Sequence, residues 1–330
     1  MSLFSFRRIA AGAVIGCAAL TLCTGCPAPG GGPGGQPGSS KIEVPERAPV
    51  ETEPTLNFKF GSSEAKVYEL KGVDLSGGAD KKTHKVRTGR IAALQNALYF
   101  YEDGKPIHLM KVTMNGENIS DLTEVGEGRA IYALASNGKA VLFRKEKQMM
   151  IYDGTKLTPG GEWTSENMIG DPDGGEFYWM RGHVLKAAAL EGNALVNEHD
   201  IFDTDNVENL KDGSWSAEFV RGDTIYMESR IKKEVDGKKQ EVSTLIAVDR
   251  QGKELARFEG YGEMPRDWAV TQNYVIATAS KGNFRVFDRA GAKMLGEAQI
   301  DMRPYALCTV KGNDVAVYDD RAHKLYRIDF

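Results

Sequence analysis

Short apolar runs separated by polar turns recur along the chain from about residue 90 to its end. Each copy ends an apolar strand on a polar residue and a Gly-containing turn, as in Ile151-Tyr152-Asp153-Gly154. The polar residues of six successive copies are Thr113, Asp153, Glu191, Asp249, Asp288 and Asp329. Four of the five intervals between them measure 38 to 41 residues, and the fifth measures 58. The long interval contains the charged segment 232–241, which predicts an extended hairpin.

A second sequence pattern recurs in phase with the first. An apolar strand, a turn rich in Asn or Gly, and a strongly apolar strand follow one another, first as Ile91–Leu94, Gln95-Asn96 and Ala97–Tyr101. Later copies begin near residues 131, 168, 217, 268 and 305. Tyr, Val, Ile and Phe dominate these runs, as they do on half-buried pleated surfaces, and no convincing helical periodicity occurs after residue 30. Each unit therefore predicts four short strands.

About 40 residues per four-stranded unit is the period of a β-propeller blade. The chain resembles propeller families in general architecture, although the Trp-Asp dipeptide of WD repeats is absent. We therefore expect an all-β fold, a six-bladed β-propeller. A β-sandwich is the alternative, and six copies in phase favour the propeller.

The sixth copy stops at Phe330 after its third strand, which leaves one strand missing. An upstream segment at about residues 66–72 alternates apolar and polar residues and has no other partner. We expect it to supply the outer strand of the last blade, because this closes the ring and removes an exposed edge.

The first 26 residues have the pattern of an export signal. Arg7-Arg8 precedes an apolar run of about 14 residues, Ile9 to Leu22, and Thr24-Gly25-Cys26 follows. That run is too short to span a bilayer stably and has the length of a signal-peptide core.

This segment resembles the bacterial lipoprotein signal, which is cut before a lipid-modified cysteine. It departs from the usual Leu-x-small-Cys lipobox, because Leu22 lies one place early and Cys23 occupies the leucine position. The resemblance implies that residues 1–25 are a signal peptide and that Cys26 carries the lipid. A plain secretory signal with an incidental cysteine is the alternative.

A flexible tether follows Cys26. Residues 27–40 are almost wholly Gly, Pro and Ser, and residues 41–54 continue with prolines and alternating charge. Such a stretch cannot bury apolar surface. We therefore expect three parts: the signal peptide at 1–25, the lipidated cysteine and tether at 26–55, and the propeller at 56–330. The protein would be exported and anchored through Cys26 to the cell membrane or the outer membrane, in the periplasm or on the cell surface.

Composition narrows the classes of partner and of chemistry. The 330 residues are 41% hydrophobic and 27% charged, with a net charge of −4. Without Arg7 and Arg8 the exported part carries −6, so the composition excludes a general nucleic-acid binder. Cys308 is the only cysteine after Cys26, and its apolar strand predicts a buried, inert thiol.

The sequence predicts no catalytic residue and no cofactor. There is no Gly-x-Ser-x-Gly elbow, and the five histidines show no ligand spacing. Asp203, Asp205 and Glu208 form an oxygen-rich cluster that is a weak calcium candidate. Clusters of this type are mostly turns, which is the favoured interpretation.

Arginines precede several inner strands. The residues are Arg90, Arg129, Arg266 and Arg303, and each begins an Arg-x-apolar copy. On a ring of blades they would surround one channel mouth and attract carboxylate or phosphate. Trp163, Trp215 and Tyr261 are expected near the same level. In the alternative, the arginines only pair with loop acids such as Glu127, Glu263, Asp267 and Asp301.

These patterns favour a binding or scaffold module that uses a propeller face to contact a protein partner or a small anionic ligand. One alternative is a propeller hydrolase or lyase that acts on glycans or lactones. Another is an assembly factor that adds strands to client proteins.

Overall fold

A computed structural model describes residues 53–71, 73, 75, 90–102, 106–114, 119–126, 133–163, 165, 167–211, 213–235, 237–262 and 265–330. All of them belong to one compact unit within residues 47–330. The predicted signal peptide, Cys26 and nearly all of the tether lie outside the described residues, as does Arg129.

The described chain folds into six antiparallel sheets arranged as the blades of a propeller, which confirms the predicted fold. Blade 1 contains β3 (Ala92–Leu94), β4 (Ala97–Glu102), β5 (Ile107–Thr113) and β6 (Ile119–Gly126). Blade 2 contains β7 (Leu134–Ser136), β8 (Val141–Lys145), β9 (Gln148–Tyr152) and β10 (Leu157–Glu162). Blade 3 contains β11 (Ile169–Gly170), β12 (Glu176–Arg181), β13 (Val184–Glu191) and β14 (Ala194–Asp203).

The second half of the ring repeats this order. Blade 4 contains β15 (Ser216–Arg221), β16 (Thr224–Val235), β17 (Lys238–Val248) and β18 (Glu254–Glu259). Blade 5 contains β19 (Pro265–Val270), β20 (Tyr274–Ala279), β21 (Asn283–Asp288) and β22 (Met294–Gln299). Blade 6 contains β23 (Pro304–Thr309), β24 (Asp314–Asp319) and β25 (Lys324–Asp329), followed by β2 (Ser63–Glu69) and β1 (Leu56–Phe60). The extended hairpin predicted around 232–241 is formed by β16 and β17, which pair as far as Val235 and Lys238.

Each pair of neighbouring blades shares one apolar core. In β4, Leu98 and Phe100 pack against blade 6, whereas Tyr99 and Tyr101 pack against blade 2. The two faces of a blade are thus both buried, which explains why the middle strands read as continuous apolar runs. Six such cores follow one another around the described ring.

The N-terminal segment closes the ring as predicted. Strand β2 pairs antiparallel with β25, with Val67 opposite Ile328. Strand β1, which the sequence analysis did not predict, adds a fifth strand to blade 6. The turn between β1 and β2 contains Gly61 at φ +61°, and a Cβ there would lie 2.4 Å from the carbonyl oxygen of Leu295 in blade 5. A side chain is excluded at this point by both the backbone conformation and the close approach.

Helical structure is minimal. The described residues include one short 3₁₀ turn at Thr204–Asn206. Within this part of the chain, no helix combines the length and the apolar character needed to cross a bilayer.

Candidate functional site in the central channel

The six innermost strands surround a central channel of about 650 Å³. Residues from every blade line it, among them Ala93, Ala135, Gly170, Val220, Val270 and Thr309. Small residues keep the inner strands close together: a Cβ on Gly170 would lie 2.2 Å from the carbonyl oxygen of Ser136. The volume is within the usual range for small-molecule sites.

Neighbouring inner strands run in the same direction. The backbone N–H of Leu307, in the middle of β23, donates to the carboxyl group of Asp267, in the first half of β19. The Thr309 hydroxyl, at the end of β23, donates to the carbonyl of Val270 at the end of β19. The channel therefore has two distinct openings, which we call the N-terminal mouth, where the inner strands begin, and the C-terminal mouth, where they end.

Three basic residues line the C-terminal mouth. Arg221 ends β15, Arg289 follows β21, and Lys311 follows β23. The Arg221 side chain is 9% exposed and lies 3.7 Å from the carboxylate of Asp173. Burial lowers the pKa of Arg221; Asp173 opposes this shift, and the charge of Arg289 adds to it. Among the described residues no carboxylate lies within ion-pair distance of Arg289.

A buried aspartate supports this mouth from behind. Asp171 is fully buried, and its Oδ1 accepts hydrogen bonds from the backbone N–H groups of Asp173 at 2.9 Å and Gly222 at 3.3 Å. These bonds connect the loop that carries Asp173 to the turn that follows Arg221. The relative positions of the two charged side chains are therefore set by the contact between blades 3 and 4.

The N-terminal mouth has mixed charge. Arg90, from blade 1, reaches across the lumen to the carbonyl of Met168 in blade 3 at 3.4 Å and to Glu218 Oε2 in blade 4 at 3.8 Å. Glu218 Oε1 accepts a hydrogen bond of 2.7 Å from Ser216 Oγ. Burial raises the pKa of Glu218, and the charge of Arg90 counters this shift.

Asp267 is a second carboxyl group in the channel wall. Its Oδ2 accepts from the backbone N–H of Leu307 at 2.8 Å, and its Oδ1 accepts from that of Trp268 at 2.9 Å. Burial raises the pKa of Asp267 to about 8, and the charges of Glu218 and Glu228 add to the shift. Burial therefore favours the neutral acid over the carboxylate.

Cys308 lines the same wall of the channel. Burial, and then the charge of Asp267, raises the pKa of this thiol to about 12. Its sulfur donates to the carbonyl of Thr309 at 3.4 Å. A thiol in this state is a poor nucleophile.

The structure places the four predicted arginines differently from one another. Arg90 lines the channel. Arg303 is not among the lining residues and instead forms an ion pair with Asp320. Arg129 lies outside the described residues, and Arg266 belongs to β19 but its side chain is not described. Ligand binding by these arginines stays a prediction.

The three aromatic residues expected near them do not line the channel. Trp163 is buried in the core between blades 2 and 3, and Trp215 packs on the core between blades 3 and 4. Tyr261 lies against Arg285, whose guanidinium carbon is 4.3 Å from the ring centroid. Each precedes an inner strand, in the connection from the outer edge of one blade to the next. Their large rings fill space between blades, and ligand binding by them stays a prediction.

The calcium candidates take part in a local turn. Asp203 caps the 3₁₀ turn through a 3.0 Å bond from the N–H of Asp205. Asp205 also pairs with His183, and Glu208 pairs with Lys211 at 2.8 Å. No group of three or more His, Cys, Asp or Glu side chains in the described chain is arranged to hold a metal ion.

The sequence analysis missed the residues that do meet in the channel. Arg221 is the last residue of β15, directly before a turn, and Arg289 follows the repeated polar residue Asp288. Charged residues are ordinary at such positions. The phase of the repeat could have predicted their proximity, since it places both turns at the same end of their blades.

Comparisons with known proteins show the fold alone. No protein-family model matches the chain, and no curated protein matches it. A solved structure of a Bacteroides thetaiotaomicron protein of unknown function is 12% identical, with 80% of this chain and 76% of that chain covered and a TM-score of 0.52. BamB from Moraxella catarrhalis is 10% identical over 74% of this chain and 85% of its own, with a TM-score of 0.43. The WD40 repeats of RRP9 are 10% identical over 83% and 99%, with a TM-score of 0.49.

Proposed function

We propose that this protein is a non-enzymatic binding module, held in the cell envelope by a lipid on Cys26, that takes a small anionic ligand at the C-terminal mouth of its channel. A propeller is a rigid ring that presents many loops, an architecture suited to binding or scaffold modules. The observation that carries the ligand class is the adjacency of Arg221 and Arg289 in the channel wall.

Two guanidinium groups near each other are unfavourable unless an anion compensates them. Asp173 lies near Arg221 but at 3.7 Å makes no direct hydrogen bond to it. Guanidinium groups bind carboxylate and phosphate through paired hydrogen bonds. Partial burial strengthens such contacts relative to open solvent. A carboxylate or phosphate group between Arg221 and Arg289, with Lys311 at the rim, would complete the charge balance.

The carboxyl groups of the channel argue against the hydrolase or lyase alternative. Both oxygens of Asp267 accept backbone N–H groups, so its geometry serves the contact between blades 5 and 6. Glu218 keeps Oε2 free of hydrogen bonds from the described residues, but Asp267 gives it no second accessible carboxyl group. A pair of carboxyl groups open to a scissile bond, as glycoside hydrolysis needs, is not formed by these two residues.

Binding of anions is tested by thermal unfolding of residues 27–330 with inorganic phosphate and with acetate. At ten times its Kd, a ligand adds about 1.4 kcal/mol to the free energy of unfolding, so we expect the melting temperature to rise by several degrees. The rise should vanish in Arg221→Gln/Arg289→Gln. The control Arg257→Gln/Arg321→Gln removes the same charge from surface ion pairs with Glu254 and Asp301. An equal rise in both double variants, or none in the parent with either anion, would overturn the anion site.

The anchor is tested separately by labelling cells with a palmitate analogue. We expect the full-length protein to take up label, Cys26→Ser to lose it and Cys23→Ser to keep it. Label retained by Cys26→Ser, or an unlabelled parent, would overturn the lipid attachment without bearing on the channel.

A further inference from the structure

The two mouths of the channel carry different chemistry. The C-terminal mouth presents Arg221, Arg289 and Lys311 with Asp173 beside them, whereas the N-terminal mouth presents the carboxylate of Glu218 with Arg90 beside it. We infer that the ligand is a zwitterion, with an anionic group bound between Arg221 and Arg289 and an ammonium group bound at Glu218. This inference rests on the proposed anion site and adds the second half of the ligand.

Strand β15 sets the spacing between the two charges. Glu218 and Arg221 belong to this one strand and are three residues apart. A strand advances about 3.3 Å per residue, and β15 has a bulge between Ala217 and Phe219, so their Cα atoms are separated by at most about 10 Å. Both residues line the same cavity. A ligand that reaches both needs its charges several ångströms apart, as in an ω-amino acid of four to six carbons or a short peptide.

Glu218 has an oxygen available for a ligand. Its Oε1 is occupied by Ser216, but the nearest cation to Oε2 among the described side chains is Arg90 at 3.8 Å, which is longer than a hydrogen bond. No hydrogen bond to Oε2 is formed by the described residues. The Glu218 side chain keeps 25% of its surface exposed, and this residue lines the lumen. An ammonium group can therefore approach Oε2 from the channel.

The position of Arg90 favours a compact ammonium group as the cation that competes with it for Glu218. Its guanidinium is also directed to the carbonyl of Met168, so it stays beside Glu218 without a direct bond. An ammonium on a flexible chain carries three donors on one atom and fits a single free carboxylate oxygen. Its binding would replace a long ion pair with a charge-assisted hydrogen bond.

The test compares ligands that differ only in the ammonium group. Isothermal titration of residues 27–330 with 6-aminohexanoate and with hexanoate should show at least tenfold tighter binding of the amino acid. Glycine and acetate are too short to span the two sites, so glycine should not bind more tightly than acetate. The ligand series uses the unmodified protein, so it remains informative if a variant fails to fold.

Glu218→Gln then identifies the group that binds the ammonium. We expect this variant to bind hexanoate as the parent does and to lose the tenfold preference. Its control is Glu254→Gln, which removes a carboxylate from the outer strand of the same blade. A preference that persists in Glu218→Gln would overturn the assignment of the ammonium site.

The possible failures are distinguishable. If hexanoate and phosphate bind but 6-aminohexanoate binds no more tightly than hexanoate, the proposal of a zwitterionic ligand is wrong and the anion site stands. If neither carboxylate nor phosphate binds, both proposals fall together.

Discussion

At the scale of single residues, burial of ionisable groups dominates the chemistry of the channel. The charges of Glu218 and Glu228 act on Asp267, and its two carboxyl oxygens accept hydrogen bonds from backbone N–H groups. A carboxylate loses its hydration when it is buried, so the neutral acid is favoured. The pKa of about 8 follows mainly from this burial.

Asp267 should make stability depend on pH. The pKa of the carboxyl is 3.8 without the fold and about 8 within it, so folding takes up a proton between these values. The contribution of this group to the free energy of unfolding therefore decreases as pH rises from about 4 to about 8. The slope reaches about 1.4 kcal/mol per pH unit for one full proton.

Asp267→Asn removes this titration. The amide cannot accept both backbone N–H groups, so we expect the variant to be less stable than the parent at pH 5 by about 1–3 kcal/mol. The deficit should shrink towards pH 8, as the parent loses its proton-linked stability. Urea unfolding at several pH values measures this, with the exposed Asp200→Asn as control. A deficit that stays constant or grows with pH would contradict the raised pKa.

Cys308 should react slowly in the folded protein. Its pKa of about 12, against 9.0 for an ordinary thiol, lowers the thiolate fraction at pH 8 by about a thousandfold. We expect iodoacetamide to modify folded residues 27–330 slower than the urea-unfolded chain by about this factor. Comparable modification rates in the folded and unfolded protein would show that the thiol is ionised, or that motion of the channel wall exposes it.

At the scale of elements, the β1–β2 hairpin shows how a turn joins two blades. Gly61 and Gly222 have nearly the same φ, +61° and +59°. A Cβ on Gly61 would collide with the carbonyl oxygen of Leu295, whereas a Cβ on Gly222 meets nothing within 4 Å. The two positions therefore separate conformational strain from close contact.

Alanine at each turn should destabilise to a different extent. In Gly222→Ala the only penalty is that alanine must adopt the left-handed conformation, which lowers the free energy of unfolding by about 1–2 kcal/mol. In Gly61→Ala the new methyl group also overpacks against blade 5, which should lower the free energy of unfolding by about 1–3 kcal/mol more. Denaturant unfolding of both variants measures the difference. Equal losses of stability would mean that blade 5 moves aside without cost.

At the scale of the whole molecule, the ring depends on a strand from the far end of the chain. Strand β2 covers the edge of β25, and Phe58 and Phe60 of β1 pack in the core with Phe330. A chain that begins at residue 71 loses both strands and exposes this core.

We expect the chain 71–330 to unfold at least about 3 kcal/mol more easily than 53–330, since two or more apolar side chains lose their burial. A synthetic peptide of residues 53–70 should restore part of the stability when added in trans. Calorimetry of the two chains, with and without peptide, gives the comparison. Equal stability of the two chains would show that the ring does not depend on this closure.

The repeat made the architecture predictable, but it did not identify the site. The six blades, the long hairpin of blade 4 and the closing strand β2 could all be inferred from periodic apolar residues. Strand β1 was missed because only Phe58 and Phe60 of its five residues are buried, beside a Pro-rich tether. Trp163 and Arg303 have the right phase for a channel mouth, yet one fills a core and the other pairs with Asp320.

The sequence by itself determined the number of blades, because both faces of every four-stranded unit must be buried and the apolar residues therefore recur with one period. It also carries the whole argument for export and for the lipid on Cys26. Only the tertiary structure decided the chemistry of the channel. Arg90, Glu218 and Arg289 lie in different blades, and their proximity depends on how the blades are arranged around the axis, which no local pattern encodes.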